Sequence, residues 1–313
     1  MSDRNTPEPE AQMNTAQPQE DTAVEQQMHR LSRRSFLWGG VALAAGFVGW
    51  KWLTAQPLEA GIPWPFRSAF HVNEKLTEAY FSHSRLVPTY LRSAASEIRA
   101  NGGYGLGDNF DPATWKLMVI GLEDTSRANM MPMPMPTTPH PQVRDMLTPH
   151  PEEDKKGVVA PPPRREMQPQ EPAVTFTLEE IKSLERVDMV TEFKCIEGWS
   201  TIVHWTGARF ADFVARYPPK QIDGKMPEYV GIETPDGGYY VGLDMESALH
   251  PQTLLCYEMN GAALAPEHGA PLRLVIPVKY GIKNIKRIGT IRFTNERPED
   301  FWAKVGYDWY AGH

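Results

Sequence analysis

Cys195 and Cys256 carry the softest ligand atoms in the chain and are the first candidates for chemistry. A thiolate binds soft or high-valent metal ions, whereas most buried cysteines are inert core residues. Two cysteines are too few for a disulfide scaffold, although an exported protein could form one bridge from them. That bridge would remove the thiolate ligand, so the disulfide and metal-ligand hypotheses exclude each other.

Basic side chains near the C-terminal end form a second candidate group. Arg273 offers a planar fork of donors that suits a phosphate, and Lys283 and Lys286 lie three residues apart on a glycine-led turn. Lys279 and Arg287 flank them. The alternative interpretation is a solvated basic face that binds nothing.

Composition limits the classes of protein that need to be considered. The 313 residues are 41% hydrophobic, which is sufficient for one large domain or two small ones. The net charge of −7 argues against general nucleic-acid binding, which requires a basic face.

The N-terminal part of the sequence is typical of an exported protein. Residues 1–30 are polar and acidic, so we expect them to be disordered. The run 32–37 (SRRSFL) resembles the twin-arginine export motif, and the apolar stretch 36–53 follows at once. We therefore interpret residues 31–55 as a twin-arginine signal or a membrane anchor, with a buried helix as the alternative. This predicts handling by the twin-arginine translocase and a periplasmic location, with cleavage of the signal left open.

Residues 61–313 are expected to form the functional domain, interrupted by a Pro/Met-rich insert at 127–172. Proline blocks both helices and strand ladders, so the insert predicts a loop or a solvated linker. Its methionines, with His140 and His150, give the weaker hypothesis of a soft-metal site.

Hydrophobic periodicity predicts a mixed, β-rich α+β domain. We expect an extended arm over 61–70 and a helix over 74–99, and Thr177 with Glu180 predicts a capped helix start. Further strands are predicted at 115–121, 229–233, 238–243 and 272–277, and short helices at 210–217 and 245–249.

Four stretches resemble, in the same order, the molybdopterin-binding domain of the sulfite-oxidase superfamily. The run 195–200 (CIEGWS) is similar to the cysteine loop of the periplasmic methionine-sulfoxide reductase catalytic subunits. Residues 250–261, 268–277 and 279–286 continue the resemblance. The similar segments cover two ranges, 85–125 and 174–300.

The resemblance implies that Cys195 is the protein thiolate on molybdenum and that Tyr257 and Glu197 are catalytic candidates. Tyr257 would donate a hydrogen bond or a proton to an oxo group, with a packed strand tyrosine as the alternative. Glu197 would orient the cysteine loop or act near the metal. The implied cofactor-binding residues are Asn101, Tyr104, Gly105, Thr234, His268, Arg273, Asn284, Ile285 and Lys286.

The implied activity is oxygen-atom transfer with one molybdenum–molybdopterin cofactor per chain. Reduction of an S-oxide such as methionine sulfoxide is favoured, with electrons from a membrane haem protein or cytochrome, because the sequence has no haem motif of its own. Oxidation of sulfite or a related anion is one alternative. It is disfavoured because sulfite oxidases have a basic residue at the position of Ala100. They also have an arginine in the loop that here carries Lys283 and Asn284, and these residues help to hold the anion. The second alternative is a non-catalytic periplasmic binding protein with the same fold.

Overall fold

The computed structural model describes residues 37–59, 62–100, 102–107, 110–126 and 172–313. Four regions for which the sequence made predictions lie outside these residues, namely residues 1–30, nearly all of the twin-arginine run, Asn101 and nearly all of the insert. The chain divides into two compact units, one up to Pro57 and the other Leu58–His313.

The first unit contains one described helix, α1, over residues 37–54. Its large apolar side chains are exposed, including Trp38, Phe47 and Trp50. Among the described residues, no helix has both the length and the apolar character needed to cross a bilayer.

The second unit is built on two five-stranded sheets. The first sheet is antiparallel, with the order β10-β9-β6-β5 and β11 on the side of β9. Its strands are β5 (Arg186–Lys194), β6 (Ser200–Arg209), β9 (Leu254–Met259), β10 (Ala262–Ala263) and β11 (Arg273–Val275). The second sheet has the order β4-β3-β12-β7-β8, in which β3 and β12 are parallel. Its strands are β3 (Leu117–Ile120), β4 (Ala173–Phe176), β7 (Tyr229–Glu233), β8 (Tyr240–Asp244) and β12 (Thr290–Thr294). A separate two-stranded hairpin pairs β1 (Leu58–Glu59) with β2 (Ile62–Pro63).

The five α-helices in the described part of the second unit are short apart from the first. They are α2 (Trp64–Tyr80), α3 (Leu178–Lys182), α4 (Phe210–Arg216), α5 (Met245–Ala248) and α6 (Phe301–Lys304). The capping box predicted for α3 is confirmed, because Thr177 accepts from the Glu180 amide and the Glu180 carboxylate accepts from the Thr177 amide. The mixed, β-rich α+β fold predicted from periodicity is likewise confirmed.

Two predictions upstream of β3 were wrong. Residues 64–70 belong to α2 rather than to an extended arm, because Pro65 occupies the first helical turn, where a missing N–H has no bond to lose. The helix expected over 74–99 ends at Tyr80. Phe81, which follows the helix, has extended backbone. Pro88 disfavours a new start of helix at Val87, Thr89 bridges to Thr191 of β5, and a single 3-10 turn follows at Arg92–Ala94.

The first sheet separates two apolar clusters. The larger cluster contains Leu255 and Tyr257 from this sheet and Leu117, Ile232 and Ile291 from the second sheet. The smaller cluster covers the other face of the first sheet, hereafter the outer face, and it consists of Ile98, Met189, Val203, Trp205, Leu254, Cys256 and Val275. The predicted site lies on this outer face.

Candidate cofactor site

Cys195 begins the tight turn that joins β5 to β6. Lys194 pairs with Ser200, the Cys195 amide donates to the Trp199 carbonyl at 2.9 Å, and the Gly198 amide donates to the Cys195 carbonyl at 3.1 Å. Gly198 has a φ of 86°, which favours glycine. The Cys195 side chain is buried, and both cysteines are free thiols rather than a disulfide. The strand alternation directs Cys195 to the side of Met189 and Phe193, the outer face.

Glu197 is exposed in the same turn. Its Oε2 accepts a hydrogen bond from Trp199 Nε1 at 2.9 Å, which braces the turn across two residues. This contact fits the role of orienting the cysteine loop, while a role for Glu197 near a metal stays a prediction.

A row of aromatic rings runs along the outer face from the Cys195 turn to Arg273. Phe193 lies 5.9 Å from Trp199 and 6.3 Å from Trp205 between ring centroids. The guanidinium carbon of Arg273 lies 5.0 Å from the Trp205 centroid, a cation–π contact. Residues of this row line a narrow cleft with Val275 and Asn284.

Arg273 is a buried cation. Its Nη1 donates to the His268 carbonyl at 3.2 Å and its Nη2 to the Asn284 carbonyl at 3.3 Å, while Nε has no partner. In the described part of the chain, no carboxylate accepts a hydrogen bond from it. Burial lowers the pKa of Arg273 to about 10, since a charge away from water is destabilised. An anion would relieve that cost.

His268 and Lys286 lie beside Arg273. Burial, and after it the charge of Arg273, lower the pKa of Lys286 to about 8, against the opposing effect of Glu267. The pKa of His268 is lowered by burial and then by the same two cations. Gly269 brings this loop together, because a Cβ there would lie 2.7 Å from both the Arg287 amide nitrogen and Lys286 Cβ.

The segment 102–107 forms the other side of the site. Lys286 Nζ donates to the Gly102 carbonyl at 3.1 Å, and Arg287 Nη1 donates to the Gly107 carbonyl at 3.3 Å. Gly105 has a φ of 69° and packs so closely on Thr234 that a Cβ would lie 2.3 Å from the threonine methyl. The structure therefore brings together five predicted cofactor contacts: Gly105, Thr234, His268, Arg273 and Lys286.

Other predicted residues have partners inside the protein. Tyr104 packs among aromatic rings, 4.9 Å from Phe301 between centroids. The Asn284 side chain braces its loop through the Ile276 amide and the Tyr280 carbonyl, and the Ile285 side chain is in the larger core cluster. The cofactor roles of these three residues stay predictions.

Lys283 lies away from the site that was expected to include it. It is fully buried, and its Nζ donates to Asp300 Oδ2 at 2.5 Å and to the Gly242 carbonyl at 2.8 Å. Of the two lysines on this turn, Lys286 alone is beside Arg273.

Tyr257 points to the face of the first sheet opposite Cys195. It packs in the larger core cluster, whereas its neighbour Cys256 packs in the smaller one. The register between β6 and β9 shifts here, so that Glu258 opposes Thr206 and Cys256 opposes Gly207. The structure does not bring Tyr257 to the Cys195 turn, and its catalytic role stays a prediction.

Comparison with known families bears on what this site binds. Residues 167–302 match the family model described as an oxidoreductase molybdopterin binding domain. The chain contains a molybdopterin-binding oxidoreductase domain. The cationic group, the cleft and Cys195 all lie within the matched residues or on the segment packed against them.

Two curated relatives of this molybdopterin domain are bacterial proteins. The provisionally named protein-methionine-sulfoxide reductase subunit YedZ1 of Azospira oryzae is 41% identical over 137 residues, which is 44% of this chain and 50% of that protein. The protein-methionine-sulfoxide reductase catalytic subunit MsrP of Campylobacter jejuni is 35% identical over 159 residues, 45% of this chain and 52% of that one. The chain thus spans about half the length of the curated relatives that it matches. Among solved structures, the sulfane dehydrogenase SoxCD of Paracoccus pantotrophus matches with 19% identity and a TM-score of 0.37, over 41% of this chain and 36% of that one.

The residues present fit molybdopterin. Its terminal phosphate carries close to two negative charges at neutral pH. Arg273, with its unbonded Nε, and Lys286, with its depressed pKa, supply buried positive charge that such an anion would stabilise. Cys195 would supply a thiolate for the metal farther along the outer face, a role that stays a prediction.

The pKa of Lys286 predicts how cofactor retention depends on pH. Without the cofactor, Lys286 loses its proton as the pH rises through about 8, whereas the phosphate stabilises the protonated form. Cofactor affinity should therefore be level between pH 7 and 8 and then fall by up to about tenfold per pH unit. The measurement is the pterin retained after dialysis at pH 7 and pH 9. Lys286→Met should retain less pterin than wild type at pH 7, and its retention should change little between pH 7 and pH 9. An equal pH dependence of retention in both proteins would contradict the assignment of Lys286 to the phosphate.

Proposed function

We propose that this chain is an S-oxide reductase that removes an oxygen atom from methionine sulfoxide or a similar compound. The observation that carries the proposal is that Arg273, with Lys286 beside it, lies on the outer face along the same row of aromatic rings as the Cys195 turn, inside the matched domain. The names of both curated relatives, which refer to methionine-sulfoxide reductase, support this substrate class.

The chain's own residues would bind and orient the cofactor. Arg273 and Lys286 hold the phosphate, the 102–107 segment closes over it, and Cys195 anchors the metal at the end of the hairpin. When bound, the molybdenum centre supplies two-electron oxygen-atom transfer. The Glu197–Trp199 contact fixes the turn, so that the thiolate keeps its direction. Reduction of a sulfoxide to a thioether consumes two electrons and two protons and releases water.

The electrons come from a haem protein in the membrane, and the chain acts in the periplasm after export through the twin-arginine translocase. The run 32–37 supports the export step. The words "subunit" and "catalytic subunit" in the relatives' names support a separate redox partner.

Dye-linked assays in both directions test the proposal on the molybdenum-loaded chain. Reduced viologen should be oxidised when methionine sulfoxide is added, and sulfite should not reduce an artificial acceptor at a comparable rate. Sulfite oxidation without sulfoxide reduction would replace the proposal with the reverse reaction. Inactivity in both directions would leave a binding protein on the same fold.

A further inference from the structure

A cavity adjoins the narrow cleft beside Trp205. Its volume is about 230 Å³, and it lies between the end of α2 with the following segment 81–88 and residues 277–278 and 310–313. It shares Glu192, Lys194 and Pro277 with the cleft that contains Trp205. Because Lys194 directly precedes Cys195, the cavity opens beside the predicted metal ligand.

One wall of the cavity is apolar. Leu86, Val87, Pro88 and Val278 contribute to it, and Tyr80 and Phe81 extend it towards α2. Such a wall suits a short aliphatic or thioether chain, which loses contact with water on binding.

Two cations, Arg85 and Lys194, contribute to the rim. Arg85 donates to the Tyr80 carbonyl, and its guanidinium carbon lies 3.5 Å from the Tyr80 ring centroid. Lys194 Nζ lies 3.4 Å from His313 Nδ1. Within the described ranges, neither cation forms an ion pair with a carboxylate. A guanidinium has five N–H donors and an ammonium has three. Both can therefore donate a hydrogen bond to an additional oxygen atom.

We infer that this cavity is the substrate pocket and that it selects sulfoxides carrying a carboxylate a few atoms from the sulfur. The thioether arm lies on the apolar wall, and the carboxylate binds Arg85 and Lys194. This inference rests on the proposed reductase function and specifies its substrate class. Arg85 and Lys194 are specificity-determining residues in this account, and neither takes part in oxygen transfer.

A matched pair of substrates tests the inference. N-acetylmethionine sulfoxide has the carboxylate, whereas N-acetylmethioninamide sulfoxide has the same arm and a neutral amide. Arg85→Met and Lys194→Met should each raise KM for the acid roughly tenfold to a hundredfold, the effect of losing one charge-assisted hydrogen bond. The KM for the amide and both kcat values should stay within about twofold of wild type. Lys225→Met removes an exposed lysine outside the pocket and serves as the control.

Direct binding supplies a readout that does not need turnover. Calorimetry on the molybdenum-loaded chain should show that the product N-acetylmethionine binds more tightly than its amide, and that both rim substitutions remove this preference. If the wild-type chain reduces both sulfoxides while the rim variants change acid and amide equally, the pocket assignment is wrong and the reductase function stands. If the wild-type chain reduces neither, the reductase function fails, and the binding experiment still decides whether the pocket holds a carboxylate.

Discussion

Cys195→Ser should lower sulfoxide reduction by more than about a hundredfold. Loss of a residue that only supports a metal ligand costs roughly 10- to 100-fold, so loss of the protein ligand itself should exceed that range. The substitution should leave the fold intact, because the Cys195 backbone makes the hydrogen bonds that define the turn. Turnover per chain, compared at equal pterin content, is the measurement.

Cys256→Ser is the matched control. Cys256 is buried on the same face of the same sheet, and its Sγ donates to the Glu258 carbonyl at 3.1 Å. Burial raises the pKa of its thiol to about 12, so it stays protonated and does not compete for the metal. Most of the activity should survive in this variant. Equal tolerance of both substitutions, or equal loss, would remove the basis for choosing Cys195.

Lys283→Met should destabilise the folded chain by about 3–5 kcal/mol, because it leaves the carboxylate of Asp300 buried without its counter-charge. Lys283 is fully buried, Asp300 is 2% exposed, and their charged atoms are 2.5 Å apart. Asp300 also accepts from the amides of Trp302 and Ala303 at the start of α6. Urea unfolding at neutral pH measures the change in the free energy of unfolding.

The double variant Lys283→Met/Asp300→Asn tests the physical reason. Neutralising Asp300 while keeping an acceptor for the α6 amides should recover part of the lost stability. A loss below about 1 kcal/mol in Lys283→Met, the range of an exposed pair, would show that the pair is not buried as described. If a fully folded Lys283→Met protein fails to bind pterin, Lys283 contacts the phosphate after all.

The elements near the site were predictable where local rules determine them. Residues 229–233 form β7 with the expected bounds, and the Thr177–Glu180 capping box depends only on neighbouring residues. The role of Lys283 was not predictable, because a spacing of three residues does not indicate which of two lysines faces a cleft. The decisive contact, with Asp300, is seventeen residues away in sequence.

Two placements depend on tertiary structure. Alternation along β9 puts Tyr257 on the face opposite Cys256, and its catalytic role stays a prediction. Trp205, the ring beneath Arg273, was missed altogether. Alternation along β6 shows that it shares a face with Val203, but its contact with a residue on β11 depends on the strand order of the sheet.

Sulfur coordination of the molybdenum tests the central claim most directly. X-ray absorption at the molybdenum edge should give three sulfur ligands in the wild-type chain, two from the cofactor's dithiolene and one from Cys195. Cys195→Ser should give two, and Cys256→Ser should give three. An unchanged sulfur count in Cys195→Ser, with the metal still bound, would contradict the assignment of Cys195 as the ligand.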